Sequence, residues 1–268
     1  MKMKKLFISA DIEGTCGIIS WPETTKNNVE YALFQKRMTD EVNAACVGAV
    51  MGGVQEILVK DAHDSAANIL ADELPNCACV FRGWGSEPMM MMQGLDESFD
   101  GVFLTGYHSG ASMGGNPLAH TMSTKLMQVK INGETATEMM ISAYAAAMLK
   151  VPLLLVTGDA RLCETVKKLS PNTLTVVVSK GVGAGSIALH PKKAVKKIKK
   201  AAEKAMKLDK ESCIVNLPKQ FDIQVAYREH NRARFNSFYP GATQLDEHTI
   251  GYKCEDYMEA LRFFHFCL

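Results

Sequence analysis

No run in this 268-residue chain approaches the roughly 20 consecutive apolar residues that cross a bilayer, so no membrane-spanning helix is expected. Excess charge of either sign is missing too: 30 Lys and Arg face 29 Asp and Glu, a net charge of +1. That balance gives no general electrostatic pull toward nucleic acid or an anionic membrane surface. None of the eight cysteines forms a C-x-x-C pair, and the closest two, Cys77 and Cys79, are C-x-C. Neither a zinc ribbon nor a disulfide framework is expected; small buried thiols in a reducing compartment are. The basic start, Met1-Lys2-Met3-Lys4-Lys5, opens onto too few apolar residues before Asp11 for a secretory signal. The expected location is cytoplasmic. Internal repeats and low-complexity linkers are also missing.

What is present is the composition of an ordinary globular protein, 47% hydrophobic and 22% charged. Apolar runs at 6–8, 55–59, 101–106 and 152–156 read as strands. Helices are expected between them: 31–50, closed by Gly52-Gly53; 66–73, stopped by Pro75; 87–93; and an alanine- and methionine-rich one within 134–149. Alternation of this kind predicts an α/β fold, three layers α/β/α around a largely parallel sheet. After about residue 165 the pattern changes. A strand at 173–179 precedes Gly181, Gly183 and Gly185, a triplet that does not match G-x-G-x-x-G. A lysine-rich helix over 191–207, with Val195 and Ile198 on its apolar stripe, reads as a solvated face. Strands at 221–227 and 249–254 and a last helix from Glu255 suggest a smaller α+β C-terminal unit. The expected division is a metal-binding catalytic α/β domain over 1–165 and the smaller unit over 166–268. Four consecutive methionines at 89–92 mark a pocket wall or an interface.

Four of the apolar strands run into side chains that bind metals or carry protons. The first leads to Asp11 and Glu13, the second to Asp61 and His63, the third to His108, the fourth to Asp159. Carboxyl ends of parallel strands share one edge of the sheet, where sites in such folds are built. Asp11 and Glu13, two apart on an extended chain, fall on one face, and Gly14 permits a sharp turn after them. Two neighbouring buried acids need a compensating cation. Carboxylate and imidazole donors suit zinc, manganese or cobalt. If Asp11 is shared between two dications, it, Glu13, a further glutamate and a hydroxide balance their charge, the arithmetic of a two-metal hydrolase. Each residue alone has a plainer reading: a solvated turn for the acids, a structural histidine for His63 or His108. His190, His230, His248 and His265 have no ligand-like spacing and read as structural or exposed.

Six blocks then resemble a known family in order and spacing. They are Ser9-Ala10-Asp11-Ile12-Glu13-Gly14, Val59-Lys60-Asp61-Ala62-His63, Gly106-Tyr107-His108, Ala119-His120-Thr121-Met122, Glu138 with Ser142-Ala143-Tyr144, and Gly158-Asp159. The resemblance is to the zinc D-aminopeptidases of the dipeptide-operon type, peptidase family M55. It implies two zinc ions held by Asp11, Glu13, His63, His108 and Glu138, with His120 in catalysis, as acid–base or as nucleophile. Asp61 and Asp159 are expected to stand behind the ligands and orient their imidazoles. The implied reaction removes N-terminal residues, D-amino acids such as D-Ala, from short peptides. The implied assembly is a ring-like homo-oligomer, a decamer, with no nucleic-acid or membrane partner. One departure is Gly158-Asp159-Ala160, where the family often carries two acids. Two other readings stay open: a non-catalytic peptide-binding or transport-accessory protein, and another dinuclear metal amidase.

Overall fold

Strands that are apolar on both faces need cover on both. The computed structural model, which describes residues 4–268, shows that cover. The first three residues of the basic start lie outside those described. A seven-stranded sheet runs in the order β3 (Ala78–Phe81), β2 (Glu56–Asp61), β1 (Lys5–Ala10), β4 (Val102–Tyr107), β7 (Leu153–Asp159), β8 (Leu174–Val182) and β9 (Gly185–Ala188). The first six are parallel; only β9 is antiparallel to its neighbour. Side-chain alternation along β1 divides the core. Leu6 and Ile8 pack with helices α1 (Tyr31–Met51) and α4 (Pro191–Ala205), whereas Phe7 faces α2 (Glu138–Met148) and α3 (Ala160–Leu169) on the other side.

A second sheet is antiparallel, in the order β11 (Thr243–Gln244), β12 (Thr249–Cys254), β10 (Phe221–Tyr227), β5 (Leu126–Ile131) and β6 (Glu134–Thr135). Helices α5 (His230–Asn236) and α6 (Tyr257–Cys267) contribute Ala233, Leu261 and Phe264 to the core it shares with α2. The join is aromatic: Tyr144 of α2 meets Phe221 and Tyr257 edge-on, with ring centroids 6.3 and 5.6 Å away. The two sheets draw on both halves of the sequence, β5 and β6 crossing into the second sheet while β8, β9 and α4 complete the first.

Two local expectations are corrected. No helix spans 66–73, where only a short 3-10 turn, Ala71–Glu73, forms. Asp64 and Ala66 sit at positive φ, 43° and 49°, outside the right-handed helical region, and the buried Asp61 carboxylate accepts the backbone N–H groups of Asn68 and Ile69. Residues 87–93 likewise hold only a 3-10 turn, Met90–Met92. The glycine triplet is the β8–β9 hairpin, with Gly183 at positive φ in its turn.

Candidate metal centre

The carboxyl ends of β1, β2, β4 and β7 lie at one edge of the sheet. β1 stops at Ala10, so Asp11 and Glu13 come together through a turn and not through strand alternation. Gly14 donates to the Gly106 carbonyl at 2.8 Å. A Cβ on Gly14 would lie 1.8 Å from the Tyr107 oxygen, and one on Gly106 2.1 Å from the Asp11 oxygen. Only glycine permits this approach, and it carries both acids up to His108. Glu138 arrives from the other side, at the first position of α2, whose Thr137 cap accepts from Met140 N–H.

All five candidate ligands are buried. They form two groups joined at Asp11. His63 Nδ1 lies 3.4 Å from Asp11 Oδ1 and 3.1 Å from Glu13 Oε2. His108 Nε2 lies 3.4 Å from Asp11 Oδ2 and 3.3 Å from Glu138 Oε2. The donor atoms of Asp11, Glu13 and His63 all lie within 4.8 Å of one another, as do those of His108, His120 and Glu138. The two oxygens of Asp11 thus face different imidazoles.

The second nitrogen of each ring fixes its tautomer. A carbonyl oxygen only accepts, so His63 Nε2–H donates to Thr24 O at 2.9 Å and His108 Nδ1–H donates to Ser109 O at 2.9 Å. In the neutral ring the nitrogen facing the carboxylates then holds a lone pair. Lone pairs on imidazole and carboxylate repel unless a proton or a metal ion lies between them. Accordingly Asp11 Oδ2, Glu13 Oε2 and His108 Nε2 have no hydrogen-bond partner among the described residues. Burial would push the Asp11 carboxyl up, but the His108 and His63 imidazoles beside it prevail and hold it at about 2. Burial also opposes charge on the imidazoles; Glu13 and Asp11 nonetheless raise His63 well above its ordinary range, and Glu138 and Asp11 do the same for His108. The centre therefore demands positive charge among ionised carboxylates. Borderline divalent ions fit that donor set, with nitrogen and oxygen donors already desolvated.

Asp61 and Asp159 act through backbone and not on imidazoles. Asp61 Oδ1 accepts from Asn68 Nδ2 at 2.8 Å, and the same amide nitrogen donates to His63 O at 2.7 Å. Asp159 accepts from Ser109 N and Oγ at 2.7 and 2.6 Å and caps α3 through Leu162 N. The groups that orient the rings, the Thr24 and Ser109 carbonyls, have no sequence signal because every residue carries one. Asn68 and Asn116, which donates to Glu13 O at 2.9 Å, were equally silent. Trp21 and Trp84, the two tryptophans of the chain, are the missed residues that rarity marks.

His120 lies against this centre. Its ring stacks on His108, centroids 4.5 Å apart, and Trp21 meets it edge-on at 5.3 Å. Nδ1–H donates to Leu118 O at 2.8 Å, and Nε2 lies 3.6 Å from Glu138 Oε1. His120 is partly exposed where His108 is not, and it lines a cleft of about 430 Å³ with Asp11, Glu13, His63, Glu138 and both tryptophans.

Three comparisons bear on this centre. The curated D-aminopeptidase of Bacillus subtilis (strain 168) is 27% identical over 258 residues, 96% of this chain and 93% of that protein. The solved structure of the Zn-dependent D-aminopeptidase DppA from Bacillus subtilis, a self-compartmentalizing protease, superposes with a TM-score of 0.92 at 25% identity, covering 98% of this chain and 96% of that one. The family model for peptidase M55, described as D-aminopeptidase, matches residues 3–266. The chain therefore belongs to peptidase family M55, the D-aminopeptidases, and is a metallo-aminopeptidase.

Proposed function

We propose that this enzyme removes the N-terminal residue, D-alanine among those accepted, from short peptides, with two zinc ions at the centre just described. The observation that carries the two-ion reading is Asp11, whose oxygens face different imidazoles. On this reading Glu13 and His63 would hold one ion and His108 and Glu138 the other, with Asp11 available to both. When bound, such ions lower the pKa of water and polarise the scissile carbonyl.

The chain's own residues do the rest. The Thr24 and Ser109 carbonyls hold the outward N–H of His63 and His108, which orients each ring and aims its other nitrogen at the centre. His120 keeps its Nδ1 proton on Leu118 O, which leaves Nε2 with a lone pair beside the cleft. That nitrogen can take the proton given up by the attacking water and pass it to the leaving amine, as a general base and then a general acid. Stacking between His108 and Trp21 keeps the ring from turning away.

DppA is a self-compartmentalizing protease, and the likeness to it extends the proposal to assembly: a homo-oligomer, which we read as a ring-like decamer enclosing the sites. All eight cysteines are free, which agrees with a cytoplasmic location, and no helix of the described residues is long and apolar enough to cross a membrane.

Incubation of zinc-loaded protein with D-Ala–Gly and L-Ala–Gly tests the reading. Free D-alanine is expected from the first and little L-alanine from the second. Equal release from both overturns the D preference, and no release from any short peptide overturns the peptidase reading.

A further inference from the structure

The methionine run has a place in the molecule that the chemistry at the metal centre does not use. Met91 lines the catalytic cleft. Its neighbour Met90 lines a second hollow of about 280 Å³, walled also by Phe264 of α6 and by Glu87. Two residues, Trp84 and Met122, line both, so the second hollow adjoins the first.

The shared wall is firmly built. Trp84 is 41% exposed, yet its Nε1–H donates to Asp64 O at 2.7 Å and its ring lies 4.1 Å from the Lys60 ammonium. Lys60 is itself buried, with Nζ 2.6 Å from Gly83 O. An exposed aromatic fixed from two sides is a preformed contact surface. Met90 and Met122 both sit at positive φ, 46° and 60°, a conformation that costs an ordinary residue about 1 kcal/mol or more. Both side chains line the second hollow. Behind the run, against Ile141 and Ala145 of α2, a void of about 10 Å³ leaves the thioethers room to shift.

We propose that this second hollow is the subsite for the residue that follows the scissile bond, and that it takes a large apolar or aromatic side chain. The inference rests on the aminopeptidase reading above. A substrate held by its amine end at the metal centre must run its next residue outward along the cleft wall. Toward Thr24, Thr25, Ser123 and Thr124 that wall carries four hydroxyls, which favour a polar group over a large apolar side chain. Past Trp84 and Met122 it offers the carbon and sulfur of Met90, Phe264 and Leu268 beside the polar Glu87, Gln93 and His265, and burial against the apolar part is favourable. The adaptable methionine wall suits several shapes over one. Lys60 does not compete by holding a substrate carboxylate, because its ammonium is enclosed beneath Trp84.

The test compares kcat/KM for D-Ala–Gly, D-Ala–Leu and D-Ala–Phe in the wild-type enzyme and two variants. The wild type is expected to favour Leu and Phe over Gly by about ten-fold or more. Met90→Gly suits the positive φ and removes the wall, and lowers the Leu-to-Gly ratio. Glu87→Trp fills the hollow from its exposed rim and abolishes the Phe-to-Gly ratio. A binding arm uses Trp21→Phe, which leaves Trp84 as the only tryptophan. A reduced-bond, non-hydrolysable D-Ala–Phe analogue is expected to shift its emission, and the D-Ala–Gly analogue is not. Ratios within about two-fold of one in the wild type, or unchanged in both variants, overturn the subsite. Failure to hydrolyse any of the three peptides strikes the aminopeptidase reading instead, and the fluorescence arm then decides the hollow by itself: a shift with the Phe analogue alone sustains it, and no shift refutes it.

Discussion

Glu41 offers a stability experiment whose sign and size follow from the structure. This α1 carboxyl is buried, with Oε1 accepting from Cys16 N–H at 2.9 Å and Oε2 lacking a partner among the described residues. The bond ties the turn that carries Asp11 and Glu13 to α1. Burial pushes the carboxyl from 4.5 to about 8, and the Cys16 bond and Arg37 offset only part of that. In the unfolded chain Glu41 loses its proton near its ordinary value; in the folded chain it keeps it until about pH 8. Its contribution to stability is therefore full below about pH 4.5 and is lost as pH rises through about 8. At about 1.4 kcal/mol per pKa unit, the loss is roughly 3 kcal/mol at pH 7 and about 5 kcal/mol above pH 8. Glu41→Gln keeps the acceptor for Cys16 and cannot ionise. Urea unfolding of both proteins at pH 5, 7 and 9, with equal metal loading, cancels the titration of the imidazoles they share. The variant is expected to gain on the wild type by a few kcal/mol between pH 5 and pH 9. A difference that stays flat, or that shrinks as pH rises, rules out a buried, protonated Glu41.

Three further outcomes are expected. His120→Ala lowers kcat by about 10²–10⁴, the range for one general acid–base group, while bound zinc by elemental analysis stays at the wild-type level. Asn68→Ala removes the amide that joins Asp61 to the His63 carbonyl; zinc affinity, measured by chelator competition, falls about 10–100-fold although Asn68 touches no candidate ligand side chain. Thr137→Ala deletes the cap of α2 at the turn that presents Glu138 and costs about 1 kcal/mol in thermal or urea unfolding.

The sequence disclosed the strand ends but not how they meet. Asp11, His63, His108 and Asp159 stand directly after apolar runs, and parallel pairing carries those runs to one edge, so their convergence was legible. Glu138 and His120 were legible only through the family blocks, because a helix N-terminal acid and a loop histidine are common on their own. The turn at Asp11–Gly14 was read as extended chain; what bends it is a long-range contact with Gly106 and Tyr107, which no local pattern records. The helix expected over 66–73 failed for a related reason, since Asp61 lies outside the window in which helical propensity is judged. The pairing of β5 with β10, some ninety residues apart, is likewise set by packing and not by either strand alone.

Metal content per chain bears most closely on a centre shared through Asp11. Elemental analysis of freshly purified, active protein is expected to give two zinc ions per chain. Glu13→Ala should retain one, and Asp11→Ala should lose both, because only Asp11 faces both groups. One ion per chain in active wild-type protein, or two ions retained in Asp11→Ala, would contradict the shared centre.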